Sequence, residues 1–582
     1  MLPGFFLTAM KQIQFLAVVL SAALLAGCSI FGVHFKIHNP KRAGKFPEKT
    51  PARALFGEST PVRNSYDVTH YDLTVDFGTD PLKEKSISGT VIITAKTVTA
   101  TDSFQLDLKE NMQLISAAMR MDKNAEWSPV RFSWKYNTVF VKSDRVVDAG
   151  KTLQIRLNYS GTPNEAKRPP WRGGFVRKRD EQKRPWMGVA CQSEGAGIWW
   201  PCKDAMNDEP DSMNIHLLIP KGLTGVSNGR FVDTASVNTT QTQWNWKLTC
   251  PINVYNVTFY IGKFKLLHDT YTSAVTGKVL DLNHYVLDYN YEKAKVHFTQ
   301  VKEHIAFYEK RFGAYPWYED GFKLVESPYA GMEHQSAIAY GNGYRNQFGY
   351  SFDYIILHET AHEWWGNSVT ASDLADGWLH EGFATYSEAL FVEHKFGKER
   401  YENYLLNQRI YIINRRPVVG EKGIRYFNYK DSDIYMKGAW ILHTLRNSIN
   451  NDSVFFDIIK TFATRYYRSE ISSQEFIDLV NEKTKQNYTP FFDQYLNNRF
   501  VPELEFFEDG EYLYYRWKKT NADFNLSIRA KGLSDGDVFT PTSDRIGRVA
   551  INASKFEIRW YYYLVKPIEN KKLKSQYETQ TK

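Results

Sequence analysis

The chain has 582 residues, too many for one hydrophobic core, and that length points to three or four domains. With 43% apolar and 24% charged residues it reads as an ordinary globular protein, which excludes a disordered or fibrous chain. A net charge of +8 is mild for this length, and no zinc-finger spacing, RNA-binding consensus or phosphate-binding glycine loop accompanies it, so no nucleic-acid partner is expected.

The first element is an apolar run from Phe15 to Ala26, preceded by Lys11. It is too short to cross a bilayer and has the size of a signal-peptide core. It ends in Leu25-Ala26-Gly27-Cys28, which resembles the lipobox of bacterial lipoproteins. The resemblance implies a signal peptide over residues 1–27, lipidation of Cys28, and a place in the bacterial cell envelope as a periplasmic or outer-membrane lipoprotein. The alternative is an ordinary secretory signal with an incidental cysteine. The polar, proline-bearing stretch from His34 to Arg63 reads as a tether, so residues 28–62 form a lipidated linker. No other segment is apolar enough to span a membrane, which leaves the N-terminal lipid as the sole membrane contact.

Tyr71, Leu73, Val75 and Phe77 alternate with polar residues, as do Phe104, Leu106 and Leu108. This period of two predicts strands, and residues 63–268 read as one antiparallel β domain. The basic stretch from Lys167 to Arg184 reads as a solvated loop between strands, the alternative being a site for an anionic polymer or headgroup. Cys191, Cys202 and Cys250 lack zinc-ligand spacing; in an oxidising compartment one pair of them could be bridged. Tyr291 to Phe312 predicts a helix, and helical periodicity dominates residues 269–501. Ser472-x-x-Glu475 is a capping box opening a helix with Phe476, Leu479 and Val480 on one side. Alternation returns after Pro502, so residues 502–582 are a small β module with a polar, frayed tail from Glu569. The fold class is multidomain α+β.

His358, Glu359 and His362 stand in the run HETAHEWWGN, and Glu381 follows in WLHEGFATY. On a helix His358 and His362 lie one turn apart on one face, so both imidazoles can reach one ion. Glu359 is rotated away from that line and can address a water on the ion. A catalytic zinc site takes three protein ligands and leaves one position open, and Glu381 is the third candidate.

The zinc motif, eighteen residues, then Glu381, resembles the gluzincin metallopeptidases, and within them the M1 aminopeptidases. AGMEHQSAIAYGN (330–342) resembles that family's exopeptidase segment, IYMKGAWIL (434–442) its Tyr-x-Lys-Gly-Ala helix, and CQSEGAGIWWPCKDAMNDEPDS (191–212) its Gln-x-Glu element. The resemblance covers about residues 66–500. It implies a thermolysin-like, mainly helical catalytic domain over 269–501, holding one Zn2+ per chain on His358, His362 and Glu381. It implies Glu359 as general base and Tyr435 as hydrogen-bond donor to the oxyanion. For reading the free amine of a peptide it implies Glu333 and Glu194, assisted by Gln192, with Gly331 and Met332 presenting backbone. Asp376 is a candidate to orient a ligand. Three residues depart from the family pattern: His334, Glu363 and His380. The two histidines add imidazoles that bear on subsite preference and pH optimum. Larger relatives carry a further helical domain, so a more open cleft is expected here. The function implied is a zinc aminopeptidase acting on peptides with a free N-terminus. The alternatives are another hydrolase on the same zinc site (an epoxide hydrolase or an endopeptidase) or a binding protein that has kept the fold without the activity.

Overall fold

The computed structural model describes residues 43–57, 59–428 and 431–581. The expected signal peptide, Cys28 and the first part of the tether lie outside them. The later part of the tether does not behave as a linker. Pro51–Gly57 forms a helix, α1, and residues 44–57 pack on the body of the protein. Their backbone carbonyls find buried donors there, which a solvated tether would not offer.

From Tyr66 to Gly262 the chain is built of strands. An eight-stranded sheet carries Tyr66–Asp76 near its centre, flanked by Ile87–Thr97 and Ser212–Pro220. The sheet is antiparallel except for the pairing of Tyr66–Asp76 with Ser212–Pro220, which is parallel. Tyr71, Leu73, Val75 and Phe77 are all buried, as alternation requires when one sheet face is covered. The strand Thr101–Asp107 breaks the rule: Gln105 and Asp107 are buried as well, because Arg63 and the residues ahead of it cover the second face.

The expected boundary after His268 falls inside a strand. Phe264–Thr272 pairs with Val279–Leu287 and belongs to a five-stranded sheet completed by 324–326, 338–340 and 331–332. That sheet therefore takes strands from both sides of the expected boundary. The predicted helix 291–312 is two helices, α2 (Tyr291–His297) and α3 (Gln300–Phe312). At the break Thr299 Oγ1 and Gln300 Nε2 donate to the carbonyls of Val296 and His297. Side chains thus compete with the backbone for helix acceptors.

The remaining helices are α4 (Tyr354–Ala361), α5 (Trp378–Phe396), α6 (Lys398–Arg409), α7 (Met436–Ile449), α8 (Asp452–Arg465), α9 (Ser473–Thr484) and α10 (Thr489–Phe492). The capping box at Ser472 and Glu475 opens α9, and Phe476, Leu479 and Val480 are buried. Helices α5 and α7 cross backbone to backbone. A Cβ on Gly382 would lie 2.9 Å from Gly438 Cα, so neither position accepts a side chain. Residues 503–569 form two small sheets. The tail is not frayed: Leu573–Gln580 is a helix, α11, with Leu573 buried and the Tyr577 ring 5.5 Å from that of Tyr514. One turn apart, these two residues give the polar tail an apolar edge.

Among the described residues no helix is long and apolar enough to cross a membrane. Cys191, Cys202 and Cys250 are buried and free, so the possible bridge is absent.

Candidate active site

Helix α4 opens on Asp353, whose carboxylate accepts from Ile355 N (3.0 Å) and also takes bonds from Tyr340, Asn342 and His297. That anchor fixes the register of the helix. It ends at Ala361, and Gly366 turns the chain with φ +118°, a conformation that favours glycine. Helix α5 then brings Glu381 to the same place.

The three expected ligand atoms converge. His358 Nε2 and His362 Nε2 are 3.1 Å apart, and each is 3.3 Å from Glu381 Oε2. Ligand atoms about 2.0–2.1 Å from a tetrahedral zinc are separated by about 3.3–3.4 Å. The outer nitrogens are already engaged: His358 Nδ1 donates to Glu388 Oε1 (2.6 Å) and His362 Nδ1 to the Trp365 carbonyl (2.8 Å). Both Nε2 lone pairs therefore face one point, together with a carboxylate oxygen. Three electron-pair donors crowded in a buried site fit a cation, and zinc suits two imidazoles and a carboxylate. Burial works to raise the Glu381 carboxyl, but the two imidazoles outweigh it and keep it ionised.

Glu359 lies beside this cluster, not in it. It is buried, and its Oε2 has no hydrogen-bond partner. Burial pushes its carboxyl up to about 8, against the opposing pull of the imidazoles. Gly331 makes room for it: a Cβ there would stand 2.5 Å from Glu359 Oε1. Tyr435 sits at the start of α7, its ring 6.2 Å from the His358 ring. Its oxygen accepts from Trp171 Nε1 (2.9 Å), which leaves its own proton free to donate. Burial and Glu381 hold the phenol well above its usual range, so it stays protonated.

Glu333 follows the edge strand Gly331–Met332 and is buried, with its backbone carbonyl accepting from Asn367 Nδ2 (2.9 Å). Gln192 Nε2 donates both to Glu333 Oε1 (2.9 Å) and to Glu381 Oε1 (2.7 Å), while Gln192 Oε1 is buried without a partner. Gly331 and Met332 line the cleft, which has a volume of about 810 Å³.

Glu194 is not brought to the site. Its carboxylate accepts from Lys109 Nζ at 2.6 Å, away from the cleft. The chain turns at Cys191, where the amides of Glu194 and Gly195 both bond the Cys191 carbonyl. A turn destroys the strand alternation that would have put residues 192 and 194 on one side. Asp376 touches no ligand; it binds Ser473 and Lys422. Glu388, two turns after Glu381 on α5, orients His358 instead, and the Tyr404 hydroxyl donates to it. The i, i+7 spacing carried that signal. The bulk of the basic stretch is loop and hairpin, but Arg168, Pro170 and Trp171 line the cleft, and no feature of the sequence marked them. Tyr255, 3.4 Å from Glu333, was equally unmarked.

The two histidine departures from the family pattern are electrostatically quiet. His334 bonds Tyr260 and His380 Nε2 accepts from Ala371 N; burial pushes both imidazoles down to about 3. Neither adds an acid or base near neutral pH. Glu363 accepts from Ser336 N, and burial lifts its carboxyl to about 8.

Two histidines from one turn of helix, a carboxylate from the next helix and a buried glutamate beside them define a metallohydrolase of the zinc-peptidase type. Comparison with known proteins agrees. Residues 67–255 match the Peptidase M1 N-terminal domain and residues 296–495 the Peptidase family M1 domain, more than half of the chain together. The chain belongs to peptidase family M1. It is 22% identical to human aminopeptidase B, over 75% of this chain and 70% of that protein. It is 23% identical to glutamyl aminopeptidase of Sus scrofa, over 75% of this chain but only 48% of that protein, so it spans about half the length of that relative. Among solved structures, the M1 zinc metallopeptidase of Deinococcus radiodurans superposes with a TM-score of 0.61 at 20% identity, over 76% of this chain and 96% of that one. A variant of that enzyme bound to a Tyr-Ser-Ala substrate gives 0.62, also at 20% identity, over 75% and 95%.

Proposed function

We propose that this chain is a zinc-dependent aminopeptidase that removes N-terminal residues from peptides, using one zinc ion per chain. The observation that carries the reading is the buried Glu333 within reach of the ligand cluster, with the unpaired Gln192 Oε1 beside it. Those two groups offer a negative charge and an acceptor to a cationic α-amine, which needs both once it is desolvated. An endopeptidase on the same ligands cuts away from the free amine and brings no such cation to these two groups.

A zinc ion held by His358, His362 and Glu381 would polarise the scissile carbonyl and lower the pKa of a water. Glu359 takes the proton of the attacking water and returns it to the leaving amine. Tyr435 donates its hydroxyl hydrogen to the oxygen that gains charge. Glu388 holds the His358 ring so that Nε2 faces inward. Glu333, from the edge strand, adjoins His362 at the end of α4, while Tyr354 lies one turn before His358, at the other end of that helix. A peptide with its amine at Glu333 therefore runs past the ligands toward Tyr354, where Phe348, 96% exposed, Ile410 and Tyr411 form an apolar mouth.

Glu333→Gln should raise KM for aminoacyl anilides about 10–100-fold, the worth of one charge-assisted hydrogen bond. N-acetylated anilides should remain uncut by parent and variant alike. Unchanged KM in the variant, or cleavage of the acetylated substrate, would exclude amine recognition by Glu333.

Lipid anchoring at the bacterial cell envelope completes the proposal, supported by the string Leu25-Ala26-Gly27-Cys28 after an apolar run. Gly44 already bonds the protein body, so the sixteen residues after Cys28 limit the distance from lipid to enzyme to at most about 55 Å. Cys28→Ser should move the protein from the membrane to the soluble fraction of expressing cells; retention in the membrane would count against lipidation.

A further inference from the structure

Residues 44–57 lie outside both family matches, yet they touch both the β-rich part of the protein and the loop 411–432. On one side they are fixed to the β domain. Arg63, buried, is held by both oxygens of Asp107 (2.8 and 2.9 Å) and donates to the carbonyls of Leu55 (3.3 Å) and Phe56 (3.1 Å). Gln105 Nε2 donates to the Leu55 carbonyl as well (3.0 Å).

On the other side the same residues lie on the loop 411–432. Gly44 N donates to the Arg415 carbonyl (2.9 Å), and Arg416 Nε donates to the Lys45 carbonyl (2.9 Å). The Phe46 and Tyr426 rings meet edge to face, 6.3 Å apart. The Arg425 guanidinium lies 4.7 Å over the Phe56 ring and pairs with Asp204. The end of α1 rests directly on the loop backbone: a Cβ on Gly57 would stand 2.6 Å from Arg425 N and 2.8 Å from the Ile424 carbonyl carbon.

That loop contains no α-helix or strand among its described residues, and it holds Asn414, Arg425 and Ser432 at φ of +56°, +46° and +56°. Left-handed backbone at residues other than glycine persists only where surrounding contacts impose it. The inner side of the loop is tied to the catalytic unit: Val418 N and Val419 N donate to the Leu496 carbonyl, Gly420 N to the Ala375 carbonyl and Gly423 N to Asp373, while Asp433 accepts from Ile413 N and Asn414 N and Arg416 reaches Asp431. At its two ends stand Ile410, Tyr411, Ser432 and Tyr435, all lining the catalytic cleft.

We propose that residues 44–57 are a positioning strap, which presses on the outer side of the loop 411–432 and thereby holds Tyr435 where it can donate to the oxyanion. The inference rests on the role given to Tyr435 above. It is of the kind in which a displacement of about 1 Å remote from the chemistry costs activity.

The test is a double-mutant cycle on kcat with the full-length protein, with melting temperatures measured in parallel. Gly57→Ala forces the strap off the loop; Gly57 is not in a left-handed conformation, so alanine itself suits the backbone. The variant should lose about tenfold in kcat, a part of the 10²–10³ that complete loss of such a donor costs. In a Tyr435→Phe background the same change should cost less than about twofold, since coupled residues are not additive. Phe46→Ala, at the far end of the strap, should repeat the pattern more weakly and carries the test if Gly57→Ala does not fold. Equal fractional losses in both backgrounds, or full kcat in both strap variants, would overturn the strap. Undiminished kcat in Tyr435→Phe alone would overturn the tyrosine's role and the strap with it, and that failure shows in the single variant.

Discussion

Glu359→Gln should lower kcat on an aminoacyl anilide by about 10²–10⁴-fold, the usual contribution of a positioned general base. The substitution keeps the shape of the side chain beside Gly331, where no spare volume exists. It leaves His358, His362 and Glu381 untouched, so bound zinc, measured by elemental analysis, should equal that of the parent. An amide cannot accept the proton of the attacking water, and the loss should therefore fall on kcat. The buried environment suits this role: an acid lifted to about 8 is a base matched to operation near neutral pH, and a divalent cation beside it pulls the value down toward that range. Folding should not suffer, because the native site holds the Glu359 carboxylate at a cost in desolvation and its Oε2 makes no hydrogen bond that would be lost. A variant that retains zinc and full kcat would remove Glu359 from the mechanism.

Tyr435→Phe should cost about 2.7–4 kcal/mol of transition-state stabilisation, or about 10²–10³ in kcat, with KM nearly unchanged. The hydroxyl meets charge that exists only after the carbonyl is attacked, so its removal leaves the ground state alone. The Trp171 indole, which donates to the tyrosine oxygen at 2.9 Å, fixes the direction of the O–H and strengthens it as a donor. Phenylalanine keeps the ring against His358 and the start of α7 intact. Steady-state kinetics across pH 6–9 would read the effect. A loss confined to KM would show that Tyr435 binds substrate and does not stabilise the transition state.

The reading of residues and the structure part company in instructive places. Asp376 and Glu388 were both available as orienting carboxylates near Glu381. Asp376 is nearer along the chain, but it lies ahead of α5 and turns to Ser473, whereas Glu388 shares the helix face of Glu381. Helical periodicity outranks sequence proximity. Glu194 and Gln192 stood together in one segment, and the turn at Cys191 separated them, sending one carboxylate to Lys109 and the amide to Glu333. Polarity alone predicts that the stretch ahead of Arg63 and the tail after Glu569 are solvated. Each carries apolar or backbone contacts that polarity averages conceal, such as Phe56 under Arg425 and Leu573 in its own buried niche.

By itself the sequence determined that His358, His362 and Glu381 converge with Glu359 beside them, and that a strand-rich part precedes a helical one. Those features live in contacts one or two helical turns long, or in strand alternation, and a chain's local geometry converts such spacings into faces without help from the rest of the fold. The tertiary structure alone decided which groups from the β domain reach the cleft: Gln192 against Glu333 and Glu381, Tyr255 behind Glu333, Trp171 on Tyr435, and the strap on the loop that precedes that tyrosine. These contacts join residues far apart along the chain, where partners are set by how two cores pack together, and no periodicity in a single segment records that packing.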